Sequence, residues 1–187
     1  AGTIYRVGNL VMNSRSHRIQ QDFEKNIFFN HVRAMLEFSI LPVELSRPEV
    51  SAVDCTASAI VKLFDKINLS NQTWHVFNPK PCDLRKILQE HGGINIKCDR
   101  LDLFVEKVLS SIDQDHAISK VAHLLMLYQF WLQEVDAPHS TMIHIAAEKT
   151  KLILEKLNFH WPVLKPEMFV DLINKSIAST NLGNIRL

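Results

Sequence analysis

The chain has 187 residues, 47% hydrophobic and 22% charged, with 21 basic against 20 acidic side chains for a formal charge of +1. A domain of this length buries roughly 70% of its unfolded surface, so a substantial core is expected and the composition lies outside the disordered range. Charges of both signs alternate along the chain, which argues against a nucleic-acid partner, and the longest apolar stretch, Val121 to Leu132, falls short of the ~20 residues of a bilayer span, so no membrane segment is read.

The opening run Thr3-Ile4-Tyr5-Arg6-Val7 is β-branched and aromatic and stops at Gly8-Asn9, which predicts a strand entering a loop. With no initiator Met before this strand, the sequence reads as beginning inside a longer protein. The loop continues through Asn13-Ser14-Arg15-Ser16. A helix is expected from Asp22 to Phe38, with Phe23, Ile27, Ala34, Met35 and Phe38 on one apolar face and Phe29, Val32 and Leu36 on a second. Pro42 and Pro48 then predict an extended surface loop between Ile40 and Val50.

Ser51-Ala52-Val53 reads as a short strand and Asp54 as the N-cap of a helix carrying Ala59, Ile60, Leu63 and Phe64. Trp74 to Phe77 is a strand ended by Asn78-Pro79. Asp83 to Gln89 is a short helix stopped by His91-Gly92-Gly93, and Ile94 to Lys97 alternates like an edge strand. Beyond Arg100 the pattern turns helical: Leu101 to Ile112, Asp115 to Glu134, Ala146 to Leu157 and Pro166 to Ala178, with a frayed tail from Thr180. The run Val121, Leu124, Leu125, Met126, Leu127, Phe130 and Trp131 is apolar nearly all round and reads first as a core helix, ahead of an acyl-chain wall.

Several chemistries are missing. There is no glycine-rich dinucleotide turn, no G-x-S-x-G, no H-E-x-x-H and no P-loop, and neither Tyr5 nor Tyr128 is followed four residues on by lysine. No catalytic residue is assigned. Cys55, Cys82 and Cys98 are far apart and odd in number, which suggests neither disulfides nor zinc and fits a reducing, cytoplasmic setting. Asp113, Asp115, His116 and His123 lie close in sequence but lack chelating spacing, so no metal site is expected, and His139 and His144 read as ordinary surface or core histidines. Arg15, Arg18 and Lys25 read as solvated loop cations before any phosphate contact.

Ile4-Tyr5-Arg6-Val7-Gly8-Asn9-Leu10 resembles the strand and loop that follow the catalytic tyrosine helix in extended short-chain dehydrogenases. Val53-Asp54 opening an alanine-containing helix is similar to that family's VD-x-x-A-x-A-I-V element, and His75 to Pro79 to its H-x-x-N-P strand end. The ending Asn158-Phe159-His160-Trp161-Pro162 resembles that of the thioester reductase domains that terminate nonribosomal peptide synthetases. The resemblance implies an α/β architecture, a helix-rich C-terminal fragment of an extended short-chain dehydrogenase (Rossmann-type) fold with a few short strands and a helical subdomain. Residues 1–98 would be the strand and helix remainder of the Rossmann-type core, 99–180 the helical subdomain facing substrate and carrier, and 181–187 a tail.

The resemblance further implies a parent that uses NADPH to reduce an acyl or peptidyl thioester, held on the phosphopantetheine arm of a carrier domain, to an aldehyde or alcohol. The missing N-terminal Rossmann half would perform hydride transfer, so no cofactor is expected to bind this fragment alone. Gly8, Asn9 and Leu10 would lie beside the nicotinamide and offer backbone groups to its carboxamide; taken without the resemblance, Gly8-Asn9 is simply a turn after a strand. Two alternatives stay open: a non-catalytic module that docks a carrier or partner, and the substrate half of a nucleotide-sugar epimerase or dehydratase.

Overall fold

A computed structural model describes residues 2–92, 95–110 and 147–178. The expected helix from Asp115 to Glu134, the candidate ligands Asp113, Asp115, His116 and His123, and His139 and His144 lie outside the described residues.

Strand β1 (Ile4–Val7) pairs in parallel with β2 (Thr73–Val76), setting Tyr5 opposite Trp74 and Val7 opposite Val76. A second parallel pair joins β3 (Ile40–Pro42) to β4 (Lys97–Asp99), with Leu41 opposite Cys98. Parallel neighbours require crossover connections, and both pairs have them through helices. The helices are α1 (Ile27–Phe38), α2 (Val53–Phe64), α3 (Leu84–Gly92), α4 (Leu101–Ser110), α5 (Glu148–Lys156) and α6 (Val170–Ala178). None of them is long and apolar enough to cross a membrane.

Two hydrophobic clusters organise these elements. The larger gathers α1, α3, α4 and α6 around Phe29, Leu36, Leu41, Leu88, Phe104 and Phe169. Residues on both sides of position 98 contribute to it. The smaller lies over β1 and β2, where Ala59 and Leu63 of α2 and Leu154 of α5 close on Trp74 and Val76. Each of the Leu, Phe and Val side chains among these contributes roughly 1.5–3 kcal/mol when fully buried.

The expected helix from Asp22 to Phe38 is interrupted. Phe23–Lys25 is a 3-10 turn, and Asn26 restarts the chain as N-cap of α1, its Oδ1 accepting the Phe29 N–H at 3.2 Å while its Nδ2 donates to the Leu10 carbonyl at 3.0 Å. Ile27, expected on an apolar face, is 50% exposed because it occupies the first helical position beside that cap, whereas Phe28, Phe29, Val32, Met35 and Leu36 are buried.

The stretch from Ile40 departs most from expectation. It begins as a buried strand, with Leu41 fully enclosed, and not as a surface loop. Pro42 is tolerated because it closes the strand, where a missing N–H interrupts no continuing ladder. The expected strand Ser51-Ala52-Val53 reduces to one parallel bridge between Leu10 and Ser51, and Val53 already begins α2. The edge strand expected at Ile94 to Lys97 falls at Lys97–Asp99, with Ile96 buried ahead of it. The helices expected over Asp83 to Gln89 and near Ala146 to Leu157 are present, and Asp83 caps α3 by accepting the Lys86 N–H at 3.0 Å. The helical stretch expected from Pro166 divides into a 3-10 turn, Pro166–Phe169, and α6.

Candidate functional site

β1 and β2 run parallel, so both carboxyl ends open at one edge of the sheet, the side on which open α/β sheets bind ligands. From β1 the chain leaves through Gly8-Asn9-Leu10, and from β2 through Phe77-Asn78-Pro79. Between these exits runs the segment Glu49-Val50-Ser51 leading into α2.

One line of hydrogen bonds ties the three together. The Ser51 N–H donates to the Asn9 carbonyl at 2.8 Å, and the Val11 N–H donates to the Ser51 carbonyl at 3.2 Å. The fully buried Ser51 hydroxyl accepts the Asn78 N–H at 2.8 Å. Asn78, also buried, donates its Nδ2 to the Pro162 carbonyl at 3.1 Å and accepts the Lys80 N–H at 3.1 Å. Three of the four sequence motifs therefore meet at the strand ends, and the fourth, Val53-Asp54 at the start of α2, follows two residues after Ser51.

Pro162 reaches this position through the way α5 stops. Asn158 takes a left-handed φ of 53°, the Phe159 N–H donates to the Leu154 carbonyl at 2.9 Å and the Asn158 N–H to the Glu155 carbonyl at 3.0 Å, a Schellman closure. Leu154 and Phe159 share the smaller cluster, and Phe159 meets Trp161 edge-on with centroids 5.1 Å apart. The Lys62 Nζ of α2 adds a bond to the Leu157 carbonyl at 3.2 Å.

Glu49 is the residue that sequence reasoning misses. Its Oε2 accepts the Asn9 N–H at 2.8 Å, its Oε1 accepts the Ser51 hydroxyl at 2.6 Å, and its own carbonyl accepts from Asn9 Nδ2 at 2.9 Å. A Cβ at Gly8 would overlap the Glu49 carboxylate where it is seated, so the carboxylate keeps this position because residue 8 is glycine. Burial pushes the Glu49 carboxyl up, and the bonds from Ser51 and Asn9 offset only part of that, so its pKa stands above the ordinary range.

Asp54, expected as an N-cap, is the second residue of α2, behind Ala52 at the cap position. Its carboxylate instead clamps the preceding loop: Ser14 donates its N–H at 2.8 Å and its hydroxyl at 2.6 Å. Partial burial pushes this carboxyl up, but the Ser14 bonds and nearby backbone N–H groups outweigh burial and hold it below the usual range. Arg15 and Arg18 are exposed, and Lys25 pairs with Asp22 at 2.9 Å. Cys82 is no nucleophile, since burial pushes its thiol up to about 12. Among the described residues no group of three His, Cys, Asp or Glu could hold a metal ion.

The two edges of the β1–β2 sheet differ. On the β2 side the His75 N–H donates outward to Thr150 Oγ1 of α5 at 3.2 Å, which covers that edge. β1 pairs only with β2 among the described residues, and Ile4 and Val7 are 54% and 45% exposed. A separate cleft of about 510 Å³, bordered by Phe38, Ile40, Lys97, Asp99, Leu103 and Lys107, opens beside the second sheet.

No protein-family model and no curated protein matches the sequence. Solved structures do match. The terminal R domain from the myxalamid PKS-NRPS biosynthetic pathway superposes with a TM-score of 0.66 over 94% of this chain at 18% identity. A thiolation-reductase di-domain from an archaeal non-ribosomal peptide synthetase gives 0.68 over 94% at 18%, and the Aureusimine biosynthetic cluster reductase domain 0.66 over 93% at 20%. The chain has the fold of these reductase domains. It is thus a mixed α/β chain with few short strands, folded like the matched part of these domains. It spans 43%, 35% and 44% of the three matched chains, less than half of each.

Proposed function

We propose that the chain is the substrate-side part of an NADPH-dependent thioester reductase that releases a carrier-bound acyl or peptidyl thioester as an aldehyde or alcohol. The observation that carries this reading is the convergence of Gly8-Asn9-Leu10, Ser51, Asn78 and Pro162 at the carboxyl ends of two parallel strands, in a fold shared with terminal reductase domains. A nucleotide-binding half would continue the sheet from the uncovered edge of β1, which exposes Ile4 and Val7. The carrier partner is suggested by the thiolation-reductase pairing of one neighbour. That all three neighbours are reductase domains favours this reading over a sugar-nucleotide epimerase or a docking module without chemistry.

The residues present suit one end of the cofactor. Both backbone groups of Asn9 are engaged internally, by Glu49 and Ser51. Among the described residues the Leu10 N–H and Asn9 Oδ1 are among the groups of this loop without partners, and they offer one donor and one acceptor, the kinds of group a primary carboxamide bonds. NADPH would supply the hydride, and these loop groups would orient its nicotinamide. With no glycine-rich turn in the chain, the pyrophosphate would be held in the other half.

The test is NADPH oxidation by the full-length protein, followed at 340 nm with an acyl-pantetheine thioester present. Thioester-dependent oxidation with aldehyde or alcohol formed is the expected result. Neither binding nor oxidation of NADPH would remove the reading in favour of docking.

A further inference from the structure

Glu49 stands apart from the motifs that mark the rest of the site. It lies forty positions from Asn9 in sequence, yet its carboxylate bonds both Asn9 and Ser51 and fills the space that a Cβ at Gly8 would take. A carboxylate is acceptor-only, and two donors converge on it, the Asn9 N–H and the Ser51 hydroxyl. Hydrogen bonds to an ionised acceptor are about twice as strong as neutral ones. Ser51 is itself held by the buried Asn78 N–H, so Glu49 anchors the loop to the rigid end of β2.

We propose that Glu49 is the positioning residue of the cofactor-side loop: its carboxylate fixes the Gly8–Asn9 backbone so that the Leu10 N–H and Asn9 Oδ1 face the nicotinamide carboxamide. Glu49 touches no cofactor itself. The proposal rests on the thioester reductase reading above. Gly8 belongs to the same device, because a side chain there would drive the carboxylate out of its seat. The Glu49 side chain is long enough to swing aside, so Gly8→Ala should act mainly by evicting it.

The experiment measures kcat and the KM for NADPH in the full-length protein for wild type, Glu49→Gln, Glu49→Ala, Gly8→Ala and the Gly8→Ala/Glu49→Ala double variant. Glu49→Ala is expected to raise the KM roughly tenfold, the equivalent of one charge-assisted hydrogen bond. Glu49→Gln keeps the volume and one acceptor and should recover part of that loss. Gly8→Ala alone should raise the KM, but add little in the Glu49→Ala background, since the group it displaces is already gone. If Glu49→Ala does not fold, the Glu49→Gln and Gly8→Ala comparison carries the test. An active wild type whose KM is unmoved by these substitutions, or in which the two losses simply add, overturns the role of Glu49 and leaves the reductase reading standing. A wild type that does not bind or oxidise NADPH removes both.

Discussion

His31 on α1 shows how a single side chain sets a pH response. The residue is partly exposed, but Nε2 is enclosed with no hydrogen-bond partner among the described residues, and burial lowers its pKa from 6.5 to about 4. Above pH 6.5 both folded and unfolded chains hold it neutral, so it has no effect. Below 6.5 the unfolded chain gains a proton that the folded chain refuses until about pH 4, so stability falls as pH falls through that window. Urea unfolding should lose up to about 3 kcal/mol from this group between those limits. In His31→Leu the same titration should show correspondingly less acid sensitivity; an unchanged slope would place the proton elsewhere. Glu49 works with the opposite sign, its raised pKa favouring the folded state as acid protonates it. The strand end at Gly8-Asn9 is legible from its residues, because a Gly-Asn pair after a β-branched run marks a loop. Glu49, which bonds Asn9, is not: a contact across forty residues leaves no local signature. Asp54 is legible as an acidic residue at a helix start, but its partner, Ser14, is equally distant, so the sequence pattern points to a cap where the structure has a clamp.

Among the elements, those with strong periodicity were read well and those fixed by tertiary packing were not. α2 and β2 follow their sequence patterns closely, α5 falls within two residues of expectation at both ends, and α6 stops at the expected Ala178 although it starts four residues late. β3 is only three residues long and ends in proline, so its burial against α4 and β4 outweighs a local signal for loop. Asn26 is hidden as a cap in the sequence because Asp22 precedes it with an equally suitable side chain. The Schellman stop of α5 offers a direct check. Asn158 holds a left-handed conformation, so Asn158→Ala should destabilise the fold by about 1 kcal/mol, while Asn158→Gly should be neutral or slightly stabilising. Thermal unfolding of the two variants measures this. Equal effects would mean that the closure does not govern the return of the chain towards Asn78.

At the scale of the whole molecule, the smaller cluster and its two parallel strands form one side of a sheet with unequal edges. Thr150 covers β2, while β1 presents Ile4 and Val7 and an unpaired backbone among the described residues. An exposed apolar edge strand is a pairing site that proteins normally cover. The fold class followed from the order of the motifs: two mark the exits of parallel strands, one opens a helix and one follows a helix stop, the alternation of an α/β chain. Substrate identity was not legible, since no motif falls between Arg100 and Ala146.

Hydrogen exchange over residues 4–10 of the full-length protein, with and without NADP+, puts the central claim to its most direct test. The account predicts β1 amides already protected in the unliganded protein by a neighbouring strand, and further slowing at Leu10 when the cofactor binds. Fast exchange along β1 together with a Leu10 amide indifferent to NADP+ would contradict it.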